Sequence, residues 1–144
     1  MEKTKRVLDR AQIEKNQFAR HNHVVVTELL EDETVHGYLE VHEDSLNAYG
    51  MIHGGAYYAL ADVTAGITAR CNGHEYVTQS ADLHYLGTTK EKKLYGTSRV
   101  VKRGHATATV KSEVTDSEGK LLFLAIFTFF CVDGRVEKPK SEEQ

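Results

Sequence analysis

Between Asn47 and Asp62 the chain reads Asn47-Ala48-Tyr49-Gly50-Met51-Ile52-His53-Gly54-Gly55, then six residues, then Asp62. The spacing predicts a loop that enters a helix at two glycines. The first N–H groups of a helix have no partner inside it. Glycine lets a ligand oxygen approach them without meeting a side chain. Such a turn is a natural site for a carbonyl or an oxyanion, and Asn47 and His53 add polar groups beside it. Asp62 lies among Leu60, Ala61, Val63 and Ala65. It points about 130° from the Leu60–Val63–Ile67 face, at 100° per residue. It is either a solvated surface aspartate or a carboxylate acting as base or nucleophile.

Gly54 and Asp62 are eight residues apart, about 12 Å along a helix axis. Both cannot touch one carbonyl carbon within one chain. Two such helices running antiparallel across a two-fold axis would bring the Gly54 end of one to Asp62 of the other. Joint catalysis by these residues therefore predicts a dimer with two equivalent interfacial sites.

The elements around this segment follow from periodicity. Thr4 can cap a helix over about 4–20, with Val7, Leu8, Ala11 and Phe18 near one face. Strands are expected over 23–30 and 34–42, joined as a hairpin by Glu31-Asp32-Glu33. Val35, Gly37, Leu39 and Val41 share one face of the second. A polar loop over 45–50 leads to a helix over 54–72, which stops at Asn72-Gly73. Ala56, Leu60, Val63 and Ile67 form one face of that helix. Ala59, Ala61, Ala65, Gly66 and Ala69 allow close approach on other sides. Four strands follow, over about 76–85, 92–102, 105–115 and 120–132. The last is nearly all apolar and is expected at the centre of the sheet. Successive hairpins favour antiparallel pairing. The fold class is α+β: a curved antiparallel sheet wrapped around one long central helix, with an extra N-terminal helix.

The whole chain agrees with this reading. Its 144 residues are 40% hydrophobic and 27% charged, enough for one domain over 1–134 followed by a charged tail over 135–144. The one proline, Pro139, lies in that tail. The net charge of −3 gives no general attraction to nucleic acid or to an anionic membrane. The longest apolar run, from Leu121 to Val132, is twelve residues, where a membrane-spanning helix needs about 20. No secretory signal opens the chain, so the cytoplasm is the expected compartment. Cys71 and Cys131 are expected as buried thiols rather than a bridge. Neither His21 and His23 nor His36 and His42 has the companions of a zinc site, so no metal is expected. Walker, GxGxxG and Gly-x-Ser-x-Gly signatures are absent.

His53-Gly54-Gly55 with Leu60-Ala61-Asp62 and the upstream Asn47 resembles the hotdog-fold acyl-CoA thioesterases of the phenylacetate-degradation (PaaI) type. The resemblance covers about residues 23–133. Four fixed residues at this spacing arise by chance about once in a thousand such chains. The resemblance implies hydrolysis of an acyl-CoA thioester to acid and CoA, by a homodimer or a homotetramer. CoA enters as part of the substrate, and no separate cofactor is needed. Gly54 N–H would polarise the carbonyl, and Asp62 of the partner subunit would act as general base or nucleophile. Asn47 would help place the water, and His53 would lie beside the carbonyl pocket. Aligning Leu83-His84-Tyr85-Leu86 with the family's strand puts a supporting hydroxyl at Thr78. Ser80, a neighbour on the same strand face, is the second choice.

Gly55 completes the turn that receives substrate. Lys102, Arg103 and His105 are either phosphate contacts for CoA or a solvated hairpin, and Lys90, Lys92 and Lys93 lean to solvated surface. Tyr85-Leu86-Gly87-Thr88 departs from the family's usual sequence after this strand. The same fold could also serve a non-catalytic acyl-CoA-binding module. A hydratase is less compatible, because its proline-containing motif is missing.

Overall fold

The computed structural model describes residues 5–6 and 10–134. The elements run β1 (Lys5–Arg6), α1 (Arg10–Glu14), α2 (Gln17–His21), β2 (Val24–Leu30), β3 (Val35–Glu40), a 3-10 turn (Glu43–Ser45), α3 (Gly54–Arg70), β4 (Tyr76–Tyr85), β5 (Lys93–Arg103), β6 (Thr107–Thr115) and β7 (Leu121–Cys131). Every pairing is antiparallel. The seven strands form one sheet in the order β1-β2-β3-β5-β6-β7-β4. Helix α3 packs on its inner face, chiefly against β5, β6 and β3. The expected central helix and antiparallel sheet are both present.

Three details differ from the sequence reading. The N-terminal helix is divided. Asn16 interrupts it and accepts a hydrogen bond from Ala19 N–H at 3.0 Å, capping α2 anew. Lys5–Arg6, expected to be helical, pairs instead with Leu29–Leu30 at the free edge of β2. Of the proposed helix residues, Thr4, Val7 and Leu8 lie outside the described residues, as does the tail over 135–144. Strand β7 is internal but one place from the edge, and β5 takes the middle. The apolar character of β7 has a local cause. Phe123, Phe127 and Phe129 are buried on its inward face, while Leu124 and Ile126 are half-buried on the other.

Helix α3 is buried nearly all round, because its alanines let the curved sheet approach closely. The nearest approach is made by a pair of glycines. Gly37 on β3 lies opposite Gly96 on β5. A Cβ at Gly96 would sit 2.9 Å from Leu60 Cγ, and one at Gly37 would sit 2.8 Å from Val25 O and 3.1 Å from Thr64 Cγ2. A methyl group at either place must push the helix or the backbone aside. Gly96→Ala is therefore expected to destabilise by ~1–3 kcal/mol, the usual range for overpacking, with urea unfolding as the measurement.

A buried chain of hydroxyls fixes α3 on the sheet. Thr64 Oγ1 and Ser98 Oγ lie 2.7 Å apart, and Ser98 Oγ and Ser112 Oγ 2.6 Å apart. Ser112 Oγ donates to Ala61 O at 3.1 Å. Buried hydroxyls need partners, and here they find them only in one helix register. The residue next to Ala61 is Asp62, so this chain also sets where the carboxylate stands.

Candidate active site

His53 is the N-cap of α3, with extended φ/ψ of −62° and 140°. Its Nδ1 accepts the Gly55 N–H at 2.8 Å. That bond leaves the proton of the neutral ring on Nε2. Ala56 N–H donates to His53 O at 2.9 Å. Among the described residues, no acceptor takes the Gly54 N–H. Of the two glycines, Gly54 is thus the one whose donor is available at the helix N-terminus.

Asn47 holds the preceding loop together. Its Oδ1 accepts from Tyr49 N–H at 2.9 Å and Met51 N–H at 3.1 Å. Its backbone N–H donates to Met51 O at 2.7 Å. The side-chain oxygen is spent on the loop, and the Nδ2 donors are the part that can meet a ligand or water.

Asp62 is half-buried on α3. Thr78 Oγ1 donates to its Oδ1 at 2.9 Å. Burial raises the carboxyl above its ordinary range, while the Thr78 hydrogen bond and the Arg70 charge pull it back in part. The two groups meet in a cavity of about 300 Å³ lined by Asp62, Gly66, Arg70, Thr78, Phe18 and Phe129.

A bulge in β4 governs which of its side chains face the helix. Thr78 pairs with Phe129 but Ser80 pairs with Thr128, one step along β7 for two along β4. The extra residue reverses the alternation. Thr78 shares the inner face with buried Phe129, whereas Ser80 sits opposite the outward Thr128. The expectation that Ser80 shares the face of Thr78 is corrected accordingly. The same reversal turns Tyr85, opposite Phe123, to the inner face. Tyr85 Oη donates to Gly54 O at 3.2 Å, and its ring lies 3.1 Å from where a Gly54 Cβ would be.

Two residues here escaped the sequence reading. Tyr85 borders the Gly54 end of the site. Arg70 lines the cavity beside Asp62, its guanidinium packed over Gly66 so closely that a Cβ there would lie 3.1 Å from Nη1. The signal for Arg70 was present: Asp62, Gly66 and Arg70 recur at four-residue spacing, on one helix face. Burial lowers the Arg70 pKa, against the charges of Glu75 and Asp62.

The three basic candidates separate. Lys102 is exposed and His105 half-buried. Arg103 turns inward, because a bulge between Val100 and Lys102 places it opposite buried Ala108. Its guanidinium donates to Ala69 O at 2.9 Å, Thr68 O at 3.0 Å and Glu33 at 3.0 Å. Arg103 therefore caps the C-terminus of α3 and pins the Glu33 turn to it. It is committed there rather than offered to a CoA phosphate. The aromatic pair on the helix also divides. Tyr57 is buried and stacks on Phe123, while half-buried Tyr58 meets Phe127 edge-on.

Gly54 and Asp62 lie at the first and ninth positions of one helix, about 12 Å apart along it. Two separate polar groupings thus lie along helix α3: Gly54, His53 and Tyr85 at its N-terminus, with Asn47 in the preceding loop, and Asp62, Thr78 and Arg70 over its second half.

Known proteins share the sequence pattern and the fold of this chain. A protein of Archaeoglobus fulgidus named as an esterase is 31% identical over 94 residues, 65% of this chain and 61% of its own length. The chain spans about three fifths of the length of the curated relatives it matches. The PaaI protein from the phenylacetic acid degradation operon of E. coli superposes with a TM-score of 0.77 at 19% identity, covering 88% of this chain and 92% of that one, which shows the shared fold. A hypothetical thioesterase of Streptococcus pneumoniae, solved with coenzyme A, superposes with a TM-score of 0.77 at 26% identity, covering 88% and 98%. Threonine-to-alanine and aspartate-to-alanine variants of that protein have also been solved, at positions sixteen residues apart. No helix among the described residues is long and apolar enough to cross a membrane. The profile of the thioesterase superfamily matches residues 49–123, from the loop before α3 into β7, and on that match the chain belongs to the thioesterase superfamily.

Proposed function

We propose that the protein hydrolyses acyl-CoA thioesters at two equivalent sites in a homodimer. The observation that carries this is the Asp62–Thr78 hydrogen bond midway along α3, with a Gly54 N–H that no described residue accepts at the helix N-terminus. Sixteen residues separate Asp62 from Thr78, the same interval as between the two positions substituted in the coenzyme A-binding streptococcal protein.

In this reading the thioester carbonyl oxygen rests on the Gly54 N–H of one subunit, where the helix dipole favours developing negative charge. Asp62 of the partner subunit removes a proton from water, and the water oxygen bonds to the carbonyl carbon. The tetrahedral intermediate collapses, the C–S bond breaks, and the CoA sulfur leaves with the proton that Asp62 had taken. Attack by Asp62 itself, through a mixed anhydride, uses the same placement. Asn47 Nδ2 and His53 Nε2–H are donors for the water and the carbonyl. Lys102 and His105 remain on hand for the CoA phosphates, and Gly55 keeps the turn open to substrate.

Dimerisation has support in the edge strand. Most of β4 is exposed on both faces, with Val77 at 52% and Tyr85 at 55%. A ten-residue strand with unpaired edge groups and bare apolar side chains invites a second chain. The test is CoA release from aromatic, short-chain and long-chain acyl-CoA esters by the wild-type protein, with a protein-only control for its two thiols. Release dependent on Asp62 is the expected result. CoA binding without release from any ester would favour a binding module and overturn the hydrolase reading.

A further inference from the structure

A further cluster of reactive side chains lies outside both groupings, where the start of β4 meets the end of β7. His74, Cys131 and Asp133 each turn one ligand atom inward, and these atoms all lie within 4.8 Å of one another. His74 Nδ1 is 3.2 Å from Asp133 Oδ1, and the Cys131 thiol donates to the same oxygen at 3.1 Å. Among the described residues it is the one set of three or more His, Cys, Asp or Glu side chains that converges in this way.

The frame around the cluster is rigid. Tyr76 pairs with Cys131 as the last rung of the β4–β7 ladder. Val132 N–H continues it to Glu75 O at 2.9 Å, and Cys131 N–H donates to Ala106 O at 2.8 Å. Asp133 is held by Glu75 N–H, which donates to Oδ2 at 3.0 Å. His74 N–H donates to Asn72 Oδ1 at 3.1 Å. Backbone bonds thus fix all three residues before any ligand arrives. Cys131 is buried, His74 half-buried and Asp133 exposed, so the site opens to solvent on the carboxylate side.

The bonding pattern distinguishes two chemistries. In a cysteine nucleophile the imidazole takes the thiol proton. Here the thiol donates to Gly134 O at 2.6 Å and to Asp133 Oδ1, and the imidazole addresses the same carboxylate oxygen instead of the sulfur. Two hydrogen-bond donors converging on one oxygen occupy the positions that a cation would fill with all three as ligands. Ligand bonds of about 2.0–2.3 Å in a tetrahedron place neighbouring ligand atoms about 3.3–3.7 Å apart, close to the 3.2 and 3.1 Å from Asp133 Oδ1 to the imidazole and the thiol. A thiolate with an imidazole and one carboxylate suits zinc and disfavours magnesium or calcium, which take oxygen ligands.

We propose that His74 Nδ1, Cys131 Sγ and Asp133 Oδ1 form a zinc site that ties the end of β7 to the start of edge strand β4. On binding, the thiol proton is released to solvent, and the His74 ring proton passes through solvent from Nδ1 to Nε2. The carboxylate gives up two hydrogen bonds for one metal bond. A water completes the fourth position. The ligands are spread over 59 positions of sequence, from His74 to Asp133, so no short motif announces them.

The test uses the full chain, stripped with a chelator and titrated with zinc chloride and, separately, with cobalt chloride. One equivalent per chain is expected. The cobalt form should show a thiolate-to-metal charge-transfer band and intense tetrahedral d–d absorption. Saturation with zinc should raise Tm by about 5–10 °C, and magnesium should not. Cys131→Ser and His74→Ala should each abolish the charge-transfer band or weaken binding at least tenfold, while Cys71→Ser should leave both unchanged. His74 is half-buried, so its variant remains informative if Cys131→Ser misfolds. Absence of stoichiometric uptake would overturn the proposal, as would a thiolate band that survives Cys131→Ser or disappears with Cys71→Ser.

Discussion

Asp62→Asn is expected to lower thioester turnover by about a hundredfold or more, the range for loss of a general base or a fixed charge in a transition state. The exchange is nearly isosteric, and Thr78 Oγ1 can still donate to the amide oxygen in place of Oδ1. Loss of the fold would therefore not be the cause. Stability gives an independent readout with the opposite sign. Burial raises the Asp62 pKa in the folded chain, so the native state binds the proton more tightly than the unfolded state does. A group of this kind stabilises fully below its unfolded pKa, and that contribution is lost as pH rises through the folded value. At neutral pH the wild-type protein therefore carries a buried charge that Asn lacks. Asp62→Asn should melt higher than wild type at pH 7, with the difference shrinking as pH falls towards the ordinary carboxyl value of 3.8. An inactive variant that melts lower at pH 7 would indicate damage rather than loss of a base. The same ionisation sets the acid limb of kcat/KM, above the ordinary carboxylate range. Thr78→Val removes a hydrogen bond that favours the ionised form and should move that limb further up.

The pattern of what was legible has a physical basis. Hydrophobic periodicity reports one element against one face, and it located α3 and the six principal strands closely. The His-Gly-Gly turn and Asp62 were visible because their chemistry depends on residue type at fixed helical spacing. Bulges carry no such signature. One extra residue near Gln79 reverses the facing of β4, bringing Thr78 to Asp62 and Tyr85 to Gly54 while turning Ser80 away. Another near Val101 turns Arg103 from a surface hairpin to the C-terminus of α3. Alternation counted through either bulge assigns the wrong face to everything beyond it. The break at Asn16 was missed for a related reason: an asparagine within a polar helix pattern becomes a cap only when the chain turns there. The position of β7 depends on which strand it pairs with, and its own apolar content cannot decide that.

Gly54→Pro tests the grouping at the helix N-terminus without touching a side chain that does chemistry. Proline is favoured at the first position of a helix, where its missing N–H costs no internal hydrogen bond. The residue before it must be extended, and His53 already is, at φ −62° and ψ 140°. The ring then removes the one N–H that Gly55 and Ala56 leave available, since theirs are taken by His53. Turnover should fall by about a hundred- to a thousandfold, as when an oxyanion donor is deleted, with helix content and oligomeric state unchanged. Gly54→Ala is the matched control. It keeps the N–H and adds a methyl 3.1 Å from the Tyr85 ring, which is more than half exposed and need give by only a few tenths of an ångström. The alanine variant should retain most of its activity while the proline variant loses it. Equal losses in the two would assign the effect to crowding against Tyr85. An active proline variant would move the oxyanion donor away from Gly54 and leave the helix dipole and His53 to polarise the carbonyl.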